Sequence, residues 1–263
     1  MLQTDLTGKT ALVGGATQGI GKAAAILLAA QGANVIVMAR NPDTLLQTIY
    51  ELPNTGEQEH GFLACDMANT AMLQSVLAAW TGGGMMAHIL VNNTGGPPAG
   101  PITSAKLVEF ESAFRQHLMA NHLLAQALLP GMKEAGYGRI INVISTSVKL
   151  PLKGLGVSNT IRAAVANWAK TLSNEVAPFG ITVNNVLPGA TRTGRLEQIM
   201  QNKAEKTGHE VSDVAAEMLA EIPAGRFGEP EEVAAAIAFL ASPAAAYING
   251  INLPVDGGRT GNL

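Results

Sequence analysis

The sequence predicts an α/β fold in which about seven parallel strands form one doubly wound sheet with helices on both faces. Seven short apolar runs rich in β-branched residues recur along the chain, as is typical of buried strands. A longer segment with helical spacing of its apolar residues lies between successive runs. Neither a shift in composition nor a repeat divides the 263 residues, so we expect one domain over residues 1–263.

The order of these segments justifies the parallel sheet. The predicted strands span residues 10–13, 34–38, 61–65, 89–91, 139–144, 182–186 and 251–255. The predicted helices span residues 19–31, 44–51, 70–80, 106–134, 156–177 and 230–240. A helix that connects two strands of one sheet leaves those strands parallel. The stretch 193–228 is too long for an ordinary connection, and its place after the sixth strand favours a substrate lid over a decorative insertion.

Composition excludes several classes of protein and partner. Hydrophobic residues make up 47% of the chain and charged residues 14%, which rules out a disordered chain. So few charged side chains would leave much of the surface of a monomer without polar groups. We therefore expect a homo-oligomer, in which small and apolar residues of the predicted helices 106–134 and 156–177 face a partner subunit. The net charge of -3, without a basic patch, argues against nucleic acid and membrane surfaces. The chain shows no spanning segment or secretory signal and has one cysteine, Cys65, so we expect a cytoplasmic protein.

A glycine-rich turn follows the first predicted strand and leads directly into a helix of small residues. Its spacing is Gly15-x-x-x-Gly19-x-Gly21 rather than G-x-G-x-x-G. Glycines there let the backbone approach a pyrophosphate, which the N–H groups at the helix start then hold. Tight turns between a strand and a helix also use glycine for purely steric reasons. The context favours a Rossmann-like dinucleotide site formed by Gly15, Thr17, Gln18, Gly19, Ile20 and Gly21.

The end of the second strand predicts which dinucleotide binds. In such folds a carboxylate at this position contacts the 2'-hydroxyl of NAD and repels a 2'-phosphate. This chain has Ala39 followed by Arg40, and a guanidinium can grip phosphate in a fork geometry. We therefore expect NADP, with NAD the less favoured cofactor. The alternative is a solvated Arg40 before the turn at Asn41 and Pro42.

These features resemble the short-chain dehydrogenase/reductase family, whose turn reads T-G-x-x-x-G-I-G; here Gly14 replaces the threonine. The resemblance continues with Asp66, with N-N-T-G at 92–95, with Pro188 and Gly189, with Thr193, and with D-G-G at 256–258. It implies that Asp66 contacts the adenine, that Asn92, Gly95, Pro188 and Gly189 support the cofactor, and that Thr193 touches its nicotinamide end. Turn capping by Asp66 and Asn92 is the alternative, and both roles are compatible.

The family's catalytic positions are changed in this chain. The family uses a serine, a Tyr-x-x-x-Lys pair on one helical face, and an asparagine on the preceding long helix. Ser145 stands at the serine position, where it is predicted to close the fifth strand, while Ser158 and Arg162 replace the tyrosine and lysine. His117 aligns with the asparagine, although Asn121 could serve if the helix were shifted by a turn. The resemblance thus assigns catalysis to His117, Ser145, Ser158 and Arg162.

The proton donor is the open question. Serine is a far weaker acid than a phenol, and Arg162 can hold charge beside the nicotinamide ribose but cannot release a proton. The three tyrosines, Tyr50, Tyr137 and Tyr247, fall at no matching position. His117 is a candidate because its unperturbed pKa lies near neutrality, although a merely packed helix histidine is an alternative. Lys149 and Lys153 are further candidates, against the alternative of a solvated loop.

Two functions remain open. One is an NADP-dependent oxidoreductase that reduces a carbonyl or oxidises a secondary alcohol. The Ser-x-x-x-Arg pattern and Gly95-Gly96-Pro97-Pro98 resemble a divergent branch near the 3-oxoacyl-acyl-carrier-protein reductases, which makes a 3-oxoacyl thioester one candidate and a homotetramer the expected assembly. The other is a catalytically impaired dinucleotide-binding protein with a structural or sensing role. A hydrolase lacks its G-x-S-x-G motif here, and the five histidines show no metal-ligand spacing.

Overall fold

The computed structural model describes residues 3–261, and these residues contain one sheet of seven parallel strands. The strand order is β3-β2-β1-β4-β5-β6-β7. The predicted fold class is therefore confirmed. Both ends of each predicted strand fall within two residues of the ends of the observed strand. The strands are β1 Thr10–Gly14, β2 Asn34–Ala39, β3 Gly61–Ala64, β4 Ile89–Asn92, β5 Gly138–Val143, β6 Ile181–Pro188 and β7 Asn252–Val255.

Helices cover both faces of the sheet. One apolar core joins β1, β2 and β4 to α1, α2 and α9, and a second joins the other side of the sheet to α3, α5 and α6. The helices are α1 Gly19–Ala30, α2 Pro42–Glu51, α3 Thr70–Gly82, α4 Leu107–Ala113, α5 Ala120–Glu134, α6 Gly156–Val176, α7 Gly194–Thr207, α8 Val211–Ala220 and α9 Pro230–Ala241. No helix in residues 3–261 combines the length and apolar character needed to cross a bilayer.

The strand order reverses between β1 and β4, and this reversal positions the site. β1 pairs with β2 on one side and with β4 on the other. Connections from neighbouring strands therefore leave in opposite directions at the carboxyl ends of β1 and β4, which opens a crevice. The glycine-rich turn after β1 and the N-N-T-G segment at the end of β4 both lie at this crevice.

The predicted helix 106–134 is not a regular α-helix throughout. A π-helical segment, Phe114–Met119, separates α4 from α5 and contains His117. A π-helical turn holds an extra residue, so it widens the helix locally and is frequent at functional sites. The spacing of apolar residues did not reveal this, because the segments on both sides keep an α-helical period.

Four asparagines form a hydrogen-bonded ladder across the sheet. Asn92, Asn142, Asn185 and Asn252 lie in register on β4, β5, β6 and β7. Each amide nitrogen donates to the next amide oxygen, from Asn92 towards Asn252, at 2.8 Å in all three bonds. Asn142 and Asn185 are buried, so these bonds satisfy polar groups that water does not reach.

The stretch 193–228 contains the two helices α7 and α8. Leu196 of α7 forms a small apolar cluster with Ile222 and Phe227, which follow α8, and this cluster is separate from the two main cores. Lys203 on α7 pairs with Glu217 on α8 at 2.8 Å. The stretch is thus a packed helical pair attached to the body by its two ends, and we retain the lid interpretation as a proposal.

Several small residues of α6 are buried inside the protomer. We expected them to face a partner subunit, but Val165 and Ala169 are fully buried and Ala166 is 7% exposed. They pack against the sheet, where a small side chain allows close approach of a helix. These three residues therefore give no support for an oligomer, whereas Ala163 is exposed and Ala164 half-buried on the same helix. The oligomer stays a prediction, and the exposed apolar side chains of α4 provide a further basis for it.

Candidate functional site

The turn between β1 and α1 is folded around its glycines. Gly15 and Gly19 have φ values of 57° and 53°, in the region that favours glycine. The Asn93 side chain donates to the carbonyl oxygens of Gly14 and Gly15 at 3.2 and 3.4 Å. Asn93 thus ties the turn after β1 to the segment after β4. Sequence reasoning did not assign it a role, although its place in the N-N-T-G motif could have indicated one.

The same turn fits a diphosphate. A Cβ atom on Gly21 would lie 2.2 Å from the carbonyl oxygen of Gly15, and one on Gly19 would lie 3.0 Å from Cγ2 of Thr193. The backbone is therefore packed too closely for side chains. The N-cap residue of α1, Gln18, makes no side-chain capping bond, and the first turn holds no acidic residue. N–H groups left without a side-chain cap at a helix start are suited to an anion.

Residues at the predicted adenosine end lie at the carboxyl ends of β2 and β3. Arg40 is exposed and directly follows β2. Asp66 is also exposed, and its carboxylate accepts a hydrogen bond from the Ala68 N–H at 3.0 Å. The turn-capping interpretation of Asp66 is thereby confirmed. Its exposure leaves the side chain accessible to a ligand as well.

Pro188, Gly189 and Thr193 place the start of α7 over the glycine turn. Pro188 ends β6, and the Gly189 N–H donates to the Val255 carbonyl at 2.9 Å. Thr193 is the N-cap of α7 and accepts from the Leu196 N–H. Because Thr193 also lies against Gly19, this residue marks where the turn and α7 meet.

Ser145 lies two residues beyond β5 and does not close it as predicted. Its side chain caps a short 3-10 turn, Thr146–Val148, and Oγ accepts from the Ser147 N–H at 3.1 Å. An oxygen that accepts from the backbone still carries its own hydrogen, so the half-buried Ser145 hydroxyl is free to donate to a ligand.

Ser158 and Arg162 lie on one face of α6, four residues apart. Ser158 is half-buried. Arg162 is 8% exposed and makes one hydrogen bond, from Nη1 to the Val143 carbonyl at 3.0 Å. Burial and the nearby Arg195 lower the pKa of Arg162 to about 10, so it remains a cation at neutral pH.

His117 is buried, at 2% exposure, inside the π-helical segment. Its Nδ1 lies 2.6 Å from Oγ1 of Thr94, whereas Nε2 is buried without a hydrogen-bond partner. Burial, and then the charge of Arg162, lower the pKa of His117 to about 2. This lowered pKa favours the alternative of a packed helix histidine, because folding removes the water that would stabilise the imidazolium.

The remaining candidates divide between the sheet, the helix and the surface. The Asn92 amide belongs to the asparagine ladder, which excludes turn capping, and its Oδ1 is buried without a partner. Asn121 is buried at the start of α5. Lys149 is half-buried and Lys153 exposed. Residues 3–261 bring together no group of three histidine, cysteine, aspartate or glutamate side chains that could bind a metal.

The segment 94–97 after β4 connects the parts of the site. Thr94 contacts His117, and the Gly95 carbonyl accepts from Gln116 at 3.1 Å. The Pro97 carbonyl accepts from Nη2 of Arg195 at 2.6 Å. Slightly further on, Gly100 N–H donates to the Gly154 carbonyl at 2.7 Å, just before α6. Sequence reasoning missed Thr94 and Arg195, because only the folded path of residues 193–228 brings α7 over this segment.

The buried histidine predicts a loss of stability in acid. Its folded pKa lies below the ordinary value of 6.5, so the unfolded chain binds the extra proton and stability falls as the pH drops below about 6.5. We expect His117 to contribute about 1.5 kcal/mol of the loss between pH 6.5 and 5.0. Urea unfolding of His117→Asn at both pH values should show a correspondingly smaller loss. His122→Asn, at an exposed position, is the control, and equal losses in all three proteins would contradict the assignment.

Comparisons with known proteins identify the family. The chain matches the family described as enoyl-(acyl carrier protein) reductase over residues 15–260 and belongs to the short-chain dehydrogenases/reductases. A 3-oxoacyl-acyl-carrier-protein reductase of Vibrio cholerae is 37% identical over 97% of this chain and 98% of that protein. The NADPH-dependent reductase BacG of Bacillus subtilis is 31% identical over 95% of this chain and 97% of that protein.

A solved structure shows how closely the fold agrees. The crystal structure of L-sorbose reductase from Gluconobacter frateurii, in complex with NADPH and L-sorbose, has a TM-score of 0.91 and 30% identity. The alignment covers 99% of this chain and 100% of that one. The sheet and the helices on both its faces are therefore shared over the full length of the two chains.

Proposed function

We propose that the protein is an NADP-dependent oxidoreductase that reduces a carbonyl group or oxidises the corresponding secondary alcohol. The observation that carries this proposal is the glycine turn at the reversal of strand order, beside a half-buried serine hydroxyl and a buried arginine. β1 and β5 flank β4, so the turn and Ser145 start about 10 Å apart across the sheet. The relatives named above, which include NADPH-dependent reductases, support the same chemistry.

The residues divide into three groups by their place along the crevice. In this proposal the turn Gly15–Thr17–Gln18–Gly19–Ile20–Gly21 holds the diphosphate, and Arg40 and Asp66 hold the adenosine end. Asn92, Gly95, Pro188 and Gly189 support the cofactor from the strand ends, and Thr193 touches its nicotinamide end. The whole chain acts as one domain, and residues 193–228 cover the substrate. The bound nicotinamide supplies or accepts the hydride.

Ser145 and Arg162 stabilise the charge that develops on the substrate oxygen. Ser145 donates its free hydroxyl hydrogen to the carbonyl oxygen, while one of its two lone pairs accepts from the Ser147 N–H. Arg162 places a buried positive charge nearby, where low dielectric strengthens its effect on an alkoxide. Neither group serves as the proton source, since serine is a weak acid and arginine does not release a proton.

The proton reaches the alkoxide from solvent in this proposal. The His117 imidazole is neutral at working pH and serves as a hydrogen-bonding group held by Thr94. Ser158 is half-buried one turn before Arg162, so its hydroxyl links water to the site. None of the three tyrosines is placed to donate this proton. Tyr137 donates to the Ala241 carbonyl at 2.6 Å, and Tyr50 and Tyr247 are exposed.

We also propose that the protein assembles as a homotetramer. Two apolar side chains at the start of α4 are largely exposed, Leu107 at 80% and Val108 at 63%. Phe114 and Met119 extend this surface along the π-helical segment. Exposed apolar side chains grouped in this way are typical of a surface that another subunit covers.

Removal of the Ser145 hydroxyl tests the catalytic assignment. We expect Ser145→Ala to lower kcat/KM for carbonyl reduction about 100-fold, because one donor to the developing oxyanion is lost. NADPH oxidation should be followed with a panel of 3-oxoacyl thioesters, diketones and quinones. Ser75→Ala, at an exposed position on α3, is the control and should retain full activity. An unchanged rate in Ser145→Ala would place the chemistry elsewhere.

The alternative function has a distinct experimental signature. The absence of a tyrosine at the site favours a dinucleotide-binding protein that has lost its proton donor. Such a protein would bind NADPH in a titration but oxidise it with no member of the panel. Tight binding together with turnover of any member would reject this alternative.

A further inference from the structure

Two arginines at the site have no acidic partner within residues 3–261. Arg162 and Arg195 occur in none of the ion pairs there, which all join other residues. The positive charge of Arg195 lowers the pKa of Arg162, so the two guanidinium groups lie close enough to repel each other. Arg162 is buried and Arg195 half-buried, and like charges held together in this way without a counter-ion are unfavourable unless a ligand supplies one.

A third arginine shows what a structural role looks like in this protein. Arg139 is 3% exposed and also lacks a carboxylate partner. However, it donates to the carbonyl oxygens of Gly138, Gly180 and Ser242, and its guanidinium lies 4.1 Å from the centre of the Tyr137 ring. Arg162 has a single carbonyl partner by comparison, which leaves most of its N–H groups for a ligand.

Arg195 is held in place by neutral groups on two sides. Nη2 donates to the Pro97 carbonyl at 2.6 Å, and Nη1 donates to Oε1 of Gln198 at 3.3 Å. The side chain also lies against Gly96. These contacts fix the plane of the guanidinium and leave its charge uncompensated. Glu197, two residues further along α7, is exposed and forms no ion pair with it.

Arg195 lies in the first turn of α7 and contacts the segment after β4. Asn93 ties that segment to the glycine turn, and Thr193, two residues before Arg195, lies against Gly19 of the same turn. Thr94, Gly95 and Gly96 then lead along the segment to Pro97. Arg195 is attached at Pro97, beyond the point where Thr94 meets His117. The same Thr94 bonds to Nδ1 of His117, whose Nε2 is buried without a hydrogen-bond partner among the described residues. In the proposed function these groups line the substrate side of the crevice.

We propose that Arg195 binds a carboxylate of the substrate, while Arg162 keeps its proposed role at the reacting oxygen. Resting on the proposed function, this inference names the substrate class as oxo acids and the matching hydroxy acids. The planar guanidinium of Arg195 suits a carboxylate, which it can bind through two parallel hydrogen bonds. The bound carboxylate supplies the missing negative charge and fixes the carbonyl relative to Ser145.

Binding of paired acids and esters tests this proposal without requiring turnover. The protein saturated with NADP+ is titrated calorimetrically with 2-oxobutanoate, 4-oxopentanoate and 5-oxohexanoate, and with the methyl ester of each. We expect at least one acid to bind about 10-fold or more tightly than its ester. Arg195→Gln should remove that difference, and Arg195→Lys should restore part of it, since lysine keeps the charge without the fork.

Arg192→Gln provides the matched control. Arg192 is an exposed arginine three residues earlier, paired with Glu229 at 3.0 Å, and its loss should leave acid binding unchanged. Unchanged NADPH affinity in Arg195→Gln verifies that the variant is folded and that Arg195 does not hold the cofactor. An equal loss of NADPH and acid binding, or acids that bind no better than esters, overturns the proposal. Tight binding of an acid that is never reduced would instead reject the proposed reductase activity and keep the anion site.

Discussion

Exchange of Arg40 for aspartate is expected to weaken NADPH binding at least about 100-fold and to leave NADH binding nearly unchanged. Arg40 follows β2 directly, is exposed, and forms no ion pair within the described residues. Loss of a charge-assisted fork costs about 1.5–3 kcal/mol, and the new carboxylate also repels the 2'-phosphate. The variant carboxylate can accept from the 2'-hydroxyl of NADH, so the preference should reverse.

Fluorescence titration of both dinucleotides measures this preference. Lys133→Asp makes the same charge change at an exposed position near the end of α5 and serves as the control. It should lower the affinity for both dinucleotides by the same small factor. Equal affinities of the unmodified protein for NADPH and NADH would mean that Arg40 is a solvated surface residue.

Replacement of Asn142 by leucine is expected to destabilise the protein by about 3 kcal/mol. Asn142 is fully buried and sits in the ladder between Asn92 and Asn185. Its loss leaves the Asn92 amide nitrogen and the Asn185 amide oxygen without partners, and each buried unsatisfied group costs about 1–3 kcal/mol. The free energy of unfolding in urea, at one fixed protein concentration, measures the effect.

Thr182 offers a matched control on the neighbouring strand. Its hydroxyl is buried without a hydrogen-bond partner, so Thr182→Val removes a polar group that already lacks a bond. We expect this variant to be as stable as the unmodified protein or slightly more so. If Asn142→Leu lost no more stability than Thr182→Val, the ladder would contribute nothing to stability.

The sheet was predictable because buried parallel strands have a strong sequence signal. Strands covered on both faces are almost continuous runs of Val, Ile and Leu, as at β1 and β4. The glycine turn was predictable for a related reason, since its backbone conformation restricts residues 15, 19 and 21 to glycine. The features that the sequence did not predict depend on contacts between residues far apart in the chain, and a linear pattern of residues does not contain those contacts.

Three features of the site show that dependence. The pKa of His117 depends on burial by the surrounding elements, and its residue type alone predicts a value near neutrality. The ladder depends on strand register, since a shift by one residue would turn each asparagine to the other face. Arg195 lies in a polar stretch that resembles any solvated helix until α7 is placed beside Pro97.

The short segment after β4 acts as a common anchor for the groups around the substrate. Thr94 bonds to the helix that carries His117, Pro97 bonds to Arg195 of α7, and Gly100 bonds to the backbone where α6 begins. Prolines 97 and 98 restrict its backbone, so the segment has little freedom to yield at one contact without moving the others. A single insertion or deletion in this segment would displace three elements of the site together. One such change during evolution would therefore be enough to alter which substrate the protein binds.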